Sequence, residues 1–192
     1  MQSLHTINEP WTHYVVDDFL DIDILTELKS IEHKTPQICS GKRIGAQDSR
    51  LFITSKNKQN YPELEKLYDS LKCGATRSFF EQATNKNYSG NYLRMEVISD
   101  IGHFYLEPHP DLINKKLTVL VYTDSGEHYP GTTIYDTEGV NISHNVEAID
   151  NRCIFFNPAA DTMHGYEPYY FATVRRCLMI NYFDYGDETE KI

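Results

Sequence analysis

The stretch LEPHPDLINKKLTVLVYTD, residues 106–124, decides how the chain is read. Its second half, LTVLVYTD, is a run of β-branched and apolar residues closed by polar ones, the pattern of a buried strand. Its first half sets His109 and Asp111 one residue apart, where a proline-bearing loop becomes that strand. One imidazole and one carboxylate at the rim of a β-structure are two of the three ligands of a facial triad, which leaves three octahedral positions open and suits non-haem Fe(II). The pair is weak evidence alone, because Asp and Pro both favour turns. The reading therefore depends on what surrounds it.

Working outward, YLRMEVIS, GTTIYD, HNVEAID, RCIFFNP and VRRCLMINYFDY are short, β-branched or aromatic, and separated by Gly, Pro, Asn and Asp. These features predict further strands. Before them, YVVDDF at residues 14–19 reads as a short strand and turn. Asp21 or Asp23 then caps a helix to about His33, with Ile24, Leu25, Leu28 and Ile31 on its apolar stripe. Pro62 starts a second helix, whose face Leu64, Leu67, Leu71, Ala75, Phe79 and Ala83 runs for about six turns. Between the helices, residues 34–58 read as a long polar loop broken by a strand near SRLFIT, a loop able to cover a pocket. The chain is thus predicted to be mainly β, a rolled sheet with N-terminal helices packed on one outer face. The 192 residues form one domain, with helical support over about 1–90 and a β core over about 91–185.

A third ligand must come from elsewhere in the sheet. His164, in PAADTMHGYEP, follows one predicted strand and precedes the last, so it can fold back over His109 and Asp111. The last strand opens with two arginines. Alternation puts Arg175, Cys177, Met179 and Asn181 on one face and Arg176, Leu178, Ile180 and Tyr182 on the other. The face with Asn181 is the more polar and is assigned to the pocket, where a guanidinium suits a bidentate carboxylate. Arg176 stays as the alternative anchor.

In this order the motifs resemble the catalytic core of the Fe(II)/2-oxoglutarate-dependent dioxygenases over about residues 92–184, and most of all the prolyl-hydroxylase-like branch. HPD supplies the HxD, His164 the distal histidine, and RRCLMINYFD the final strand with its basic anchor. LTVLVYTD and PGTTIYD match the strands between. The resemblance implies a double-stranded β-helix (jelly roll). It implies iron on His109, Asp111 and His164, and 2-oxoglutarate on Arg175 and Tyr122. O2 would be the second cosubstrate and ascorbate a candidate reductant. The implied reaction hydroxylates a C–H bond and releases succinate and CO2. The spacing of 11 from His164 to Arg175 is slightly longer than usual in that family, and a proline between the ligands is uncommon there.

Composition narrows the partners. A net charge of −10 with no basic block opposes nucleic-acid binding. No segment approaches a membrane span and the N-terminus lacks a leader pattern, so a cytoplasmic protein is expected. The expected substrate is a small metabolite or a peptidyl side chain, and the oligomeric state is open. Cys39, Cys73, Cys153 and Cys177 form no CxxC pair and are expected to be reduced. His103, His128 and His144 read as loop or turn residues, and Arg94 as a salt-bridge partner of Glu96. Two other readings stay open: a cupin-like metalloenzyme that does not use 2-oxoglutarate, and a non-catalytic barrel that binds a carbohydrate or a partner chain.

Overall fold

The computed structural model describes residues 3–32, 37–41, 50–123, 128–129 and 131–185. In chain order these form β1 (Leu4–Ile7), β2 (His13–Val16), α1 (Ile22–Ser30), β3 (Gln37–Gly41), β4 (Arg50–Ile53), α2 (Pro62–Cys73) and α3 (Ala75–Thr84). There follow β5 (Tyr92–His109), β6 (Lys115–Tyr122), β7 (Thr132–Tyr135), β8 (Ile142–Val146), β9 (Cys153–Phe156) and β10 (His164–Phe183). The hydrogen-bonded path runs β1-β2-β9-β6-β10-β5-β3, with β4 on β5 and β7 between β10 and β8.

Two long strands make this one rolled sheet rather than two separate layers. Residues 175–183 of β10 lie between 92–100 of β5 and β6, whereas His164 and Gly165 at its start pair with β7. The register between β10 and β5 shifts between Phe171 and Arg175. Such irregularities let a strand bend as the sheet turns a corner. The result is a double-stranded β-helix, as the sequence led us to expect.

Alternation along the strands separates two cores. Leu117, Val119 and Val121 of β6 and Leu178, Ile180 and Tyr182 of β10 meet Leu25, Leu28, Leu64, Leu71 and Phe80 from the helices. Leu120 and Tyr122, Ile154 and Phe156, and Cys177 point the other way, into the roll. A one-residue slip of either long strand would exchange these faces, so burial fixes the register.

The structure corrects four sequence-based expectations. The long second helix is broken at Gly74, which has extended backbone angles between α2 and α3. A Cβ there would lie 2.8 Å from Ser70 Cα, so the break needs glycine. The segment expected as a loop between the helices also contains β3, which runs parallel to β5. Residues 34–36 and 42–49 of that segment, on which the expectation of a covering loop falls, lie outside the described residues. His103 sits inside β5 rather than in a loop. His144, expected in a solvated turn, lies on β8 and bonds His13.

That last contact ties the N-terminal ribbon to β8. His13 is fully buried, with Nδ1 2.9 Å from the Trp11 carbonyl and Nε2 3.1 Å from His144 Nε2. A carbonyl only accepts, so His13 carries its proton on Nδ1, and His144 donates from Nε2. Burial lowers the pKa of both imidazoles, opposed on His13 by its bond to Trp11. In the unfolded chain each titrates near 6.5, so on acidification the unfolded state takes up protons first. The pair therefore stabilises the fold fully above that value and loses its contribution as the pH falls through the lowered values. The melting temperature is expected to fall between about pH 7.5 and about pH 5.5, and to fall less in His144→Phe. Thermal melts by circular dichroism across that range test it.

Candidate metal centre

Strand pairing brings the three candidate ligand residues together. His109 closes β5, His164 opens β10, and the two stand directly opposite across the ladder. Gly165 permits this approach, because a Cβ there would lie 2.4 Å from the Leu106 carbonyl oxygen. Asp111 follows in the turn before β6. One ligand atom from each of His109, Asp111 and His164 lies within 4.8 Å of the others. His164 Nε2 is 4.0 Å from Asp111 Oδ2, about twice a metal–nitrogen bond of roughly 2.1 Å.

The surrounding groups set protonation and orientation. Both histidines place Nδ1 near the carbonyl two residues back: His109 on Glu107 at 2.8 Å and His164 on Thr162 at 2.9 Å. A donating Nδ1–H leaves each Nε2 lone pair free for a cation. Burial pushes His164 down to about 4, against the opposing pull of the Asp111 charge, so it is neutral at pH 7. Burial would raise the Asp111 carboxyl. The ammonium of Lys115 and the nearby His164 outweigh it, helped by hydrogen bonds from Lys115 and Thr118, and hold it well below the usual carboxylate range. Lys115 Nζ donates to Oδ1 at 2.5 Å and Thr118 Oγ1 to Oδ2 at 2.6 Å. The donor set is thus the neutral imidazole of His164, the imidazole of His109 and the ionised carboxylate of Asp111, which fits a divalent first-row metal.

A cavity of about 600 Å3 runs from these ligands into the roll. Leu120, Ile154, Phe156 and Met179 form apolar walls, and Thr132, Tyr166, Cys177 and Arg175 also line it. The guanidinium of Arg175 is fully buried. Its Nε donates to Tyr129 Oη at 3.2 Å, Nη1 to Asp100 Oδ2 at 2.5 Å, and Nη2 to Tyr166 Oη at 2.8 Å. The rings of Tyr166, Phe104 and Tyr129 surround its carbon at 4.7, 5.1 and 5.4 Å. Arg176 points to the opposite face, where Nη1 donates to the Lys29 carbonyl. Tyr122 is fully buried and is not among the residues that line the cavity. Its hydroxyl meets Thr132 Oγ1 at 2.5 Å, and Thr132 in turn donates to Tyr166 Oη at 3.2 Å, so it joins Arg175 through a chain of hydroxyls.

Sequence reasoning missed Lys115, Thr118, Tyr166, Tyr129 and Asp100. Two of them were within reach of the alternation rule. Thr118 shares the inward face of β6 with Leu120 and Tyr122, and Tyr166 follows His164 by two on one strand. Arg94 forms an ion pair with Glu96 as expected, Nε to Oε1 3.2 Å, and both Arg94 and Arg50 also line the cavity. His103 and His128 are exposed, away from the ligands.

No family model matches the chain, and no curated protein matches it in sequence. Solved structures do match. A prolyl hydroxylase from Trichoplax adhaerens, in complex with a peptide of the hypoxia inducible factor oxygen degradation domain, superposes with a TM-score of 0.62 at 15% identity, over 93% of this chain and 85% of that one. This is the fold of the prolyl hydroxylases. A Pseudomonas putida prolyl-4-hydroxylase gives 0.54 at 14% identity, covering 91% and 93% of the two chains. A viral collagen prolyl hydroxylase from Paramecium Bursaria Chlorella virus-1, solved with 2-oxoglutarate, gives 0.51 at 13% identity over 88% and 93%. Among the described residues no helix is long and apolar enough to cross a membrane.

Proposed function

We propose that this chain is an Fe(II)- and 2-oxoglutarate-dependent oxygenase that hydroxylates a C–H bond of a small metabolite or a peptidyl side chain. The observation that carries the reading is the convergence of His109, Asp111 and His164 in the wall of a cavity that the buried guanidinium of Arg175 also lines. Iron with 2-oxoglutarate and O2 supplies the oxidising power, and succinate and CO2 leave.

The residues have separable tasks. His109, Asp111 and His164 would hold the metal and leave positions open beside it. Lys115 and Thr118 fix the Asp111 carboxylate, and the Glu107 and Thr162 carbonyls fix the imidazoles. Arg175 would take the distal carboxylate of the cosubstrate, backed by the hydroxyls that run to Tyr122. The apolar wall of Leu120, Ile154, Phe156 and Met179 keeps bulk water from the chemistry. A peptidyl substrate draws support from the Trichoplax structure, which holds a peptide in the same fold.

The test is succinate release from purified protein supplied with Fe(II), 2-oxoglutarate and pooled metabolites and peptides. Release that requires both iron and 2-oxoglutarate, and that part of the pool stimulates, is expected. Turnover of a pool component without 2-oxoglutarate would instead indicate a cupin-like metalloenzyme.

A further inference from the structure

Arg175 meets a carboxylate before any cosubstrate arrives. Asp100 stands directly opposite it across the β5–β10 ladder, and its Oδ2 lies 2.5 Å from Nη1. Both side chains are fully buried. From this geometry we infer that Asp100 governs cosubstrate choice: it neutralises the guanidinium, holds down the affinity for a 2-oxo diacid, and lets 2-oxo acids with an uncharged distal end compete. The inference rests on the proposed role of Arg175 as cosubstrate anchor.

The argument is one of charge and donors. A guanidinium has five N–H donors, and Tyr129, Asp100 and Tyr166 engage three of them. Among the described residues these are its hydrogen-bond acceptors, so one N–H on each terminal nitrogen remains for a ligand. The charge does not. A distal carboxylate at those donors would be a second anion beside Asp100, in a site walled by aromatic rings where like charges repel strongly. Asp100 has little room to swing aside as a surface carboxylate would, because its side chain is fully buried. A carbonyl oxygen without charge accepts from the same donors and meets no such repulsion. The hydroxyls of Tyr129, Tyr166 and Thr132 favour neither kind of ligand by charge.

Isothermal titration calorimetry with Mn(II)-loaded protein separates the possibilities, using 2-oxoglutarate and its 5-methyl ester as the two probes. The wild type is expected to prefer the diacid by less than about tenfold. In Asp100→Asn the preference is expected to grow by at least about tenfold, with 2-oxoglutarate binding tighter than to the wild type. Tyr129→Phe, which removes a contact to Arg175 but no charge, is expected to leave the preference unchanged. An unchanged or weakened 2-oxoglutarate affinity in a folded Asp100→Asn overturns the inference. If that variant does not fold, the wild type still decides, since a preference for the diacid beyond about a hundredfold would overturn it. Binding of neither probe to any form of the protein would overturn the cosubstrate reading itself, and this inference with it.

Discussion

Replacing Asp111 with asparagine is expected to remove metal binding. Loss of a group that merely orients a ligand costs about 10- to 100-fold in metal affinity, and removing the carboxylate charge itself should cost more. Asparagine keeps the shape of the side chain and an acceptor for Thr118, which bonds Oδ2 in the native site. Either replacement, Asn or Ala, takes away the carboxylate charge that the ammonium of Lys115, only 7% exposed, meets. An unpaired buried charge costs about 3–5 kcal/mol, so both variants should melt at lower temperature as well, the alanine one further because Thr118 also loses its acceptor. Calorimetric titration with Mn(II), beside a thermal melt of each variant, separates the two effects. Metal affinity in Asp111→Asn equal to the wild type would contradict the ligand assignment.

Arg175→Met should have the second largest effect, on two properties at once. It deletes the expected anchor for 2-oxoglutarate, and it strips Asp100 of a guanidinium partner in a fully buried pair. Breaking one side of such a pair is worth about 3–5 kcal/mol, enough to lower the melting temperature by many degrees. The double variant Arg175→Met with Asp100→Asn removes both charges, and buried pairs replaced together are often neutral for stability. It should recover most of the lost stability and none of the 2-oxoglutarate affinity. Thermal melts and binding titrations on the three proteins check this. Retained 2-oxoglutarate affinity in either Arg175 variant would remove Arg175 from the cosubstrate site.

The sequence was most informative where one strand carries its own pattern. Period-two alternation places Arg175, Cys177 and Met179 together on one face, and these residues line the cavity. HPD at a strand mouth and a histidine before the last strand were likewise local signals. What stayed hidden depends on register between distant segments. Asp100 and Arg175 are 75 positions apart and meet only because β10 shifts register after Phe171. His13 and His144 are 131 positions apart and meet across the roll. The helix break at Gly74 was missed for another reason: the apolar stripe continues through it, and periodicity does not register a backbone that leaves helical geometry between two good helical stretches.

The lysine beside the metal ligand gives this site a particular character. Lys115 already balances Asp111 by charge, so the carboxylate is ionised and held in place without a metal. The site is thereby organised in advance, at the cost of competition between an ammonium and a cation for the same carboxylate. The part of the cavity proposed for the cosubstrate repeats the arrangement, with Asp100 beside Arg175. Both ends of the cavity hold an internal counter-charge before any ligand enters.

The most direct test of the account is the order of binding in a single calorimetric series. The wild type should take up one Mn(II) per chain and then one 2-oxoglutarate, with no 2-oxoglutarate bound while the metal is withheld by a chelator. Equal 2-oxoglutarate binding with and without Mn(II), or no Mn(II) bound at all, would contradict a metal held by His109, Asp111 and His164 as the centre of this protein's chemistry.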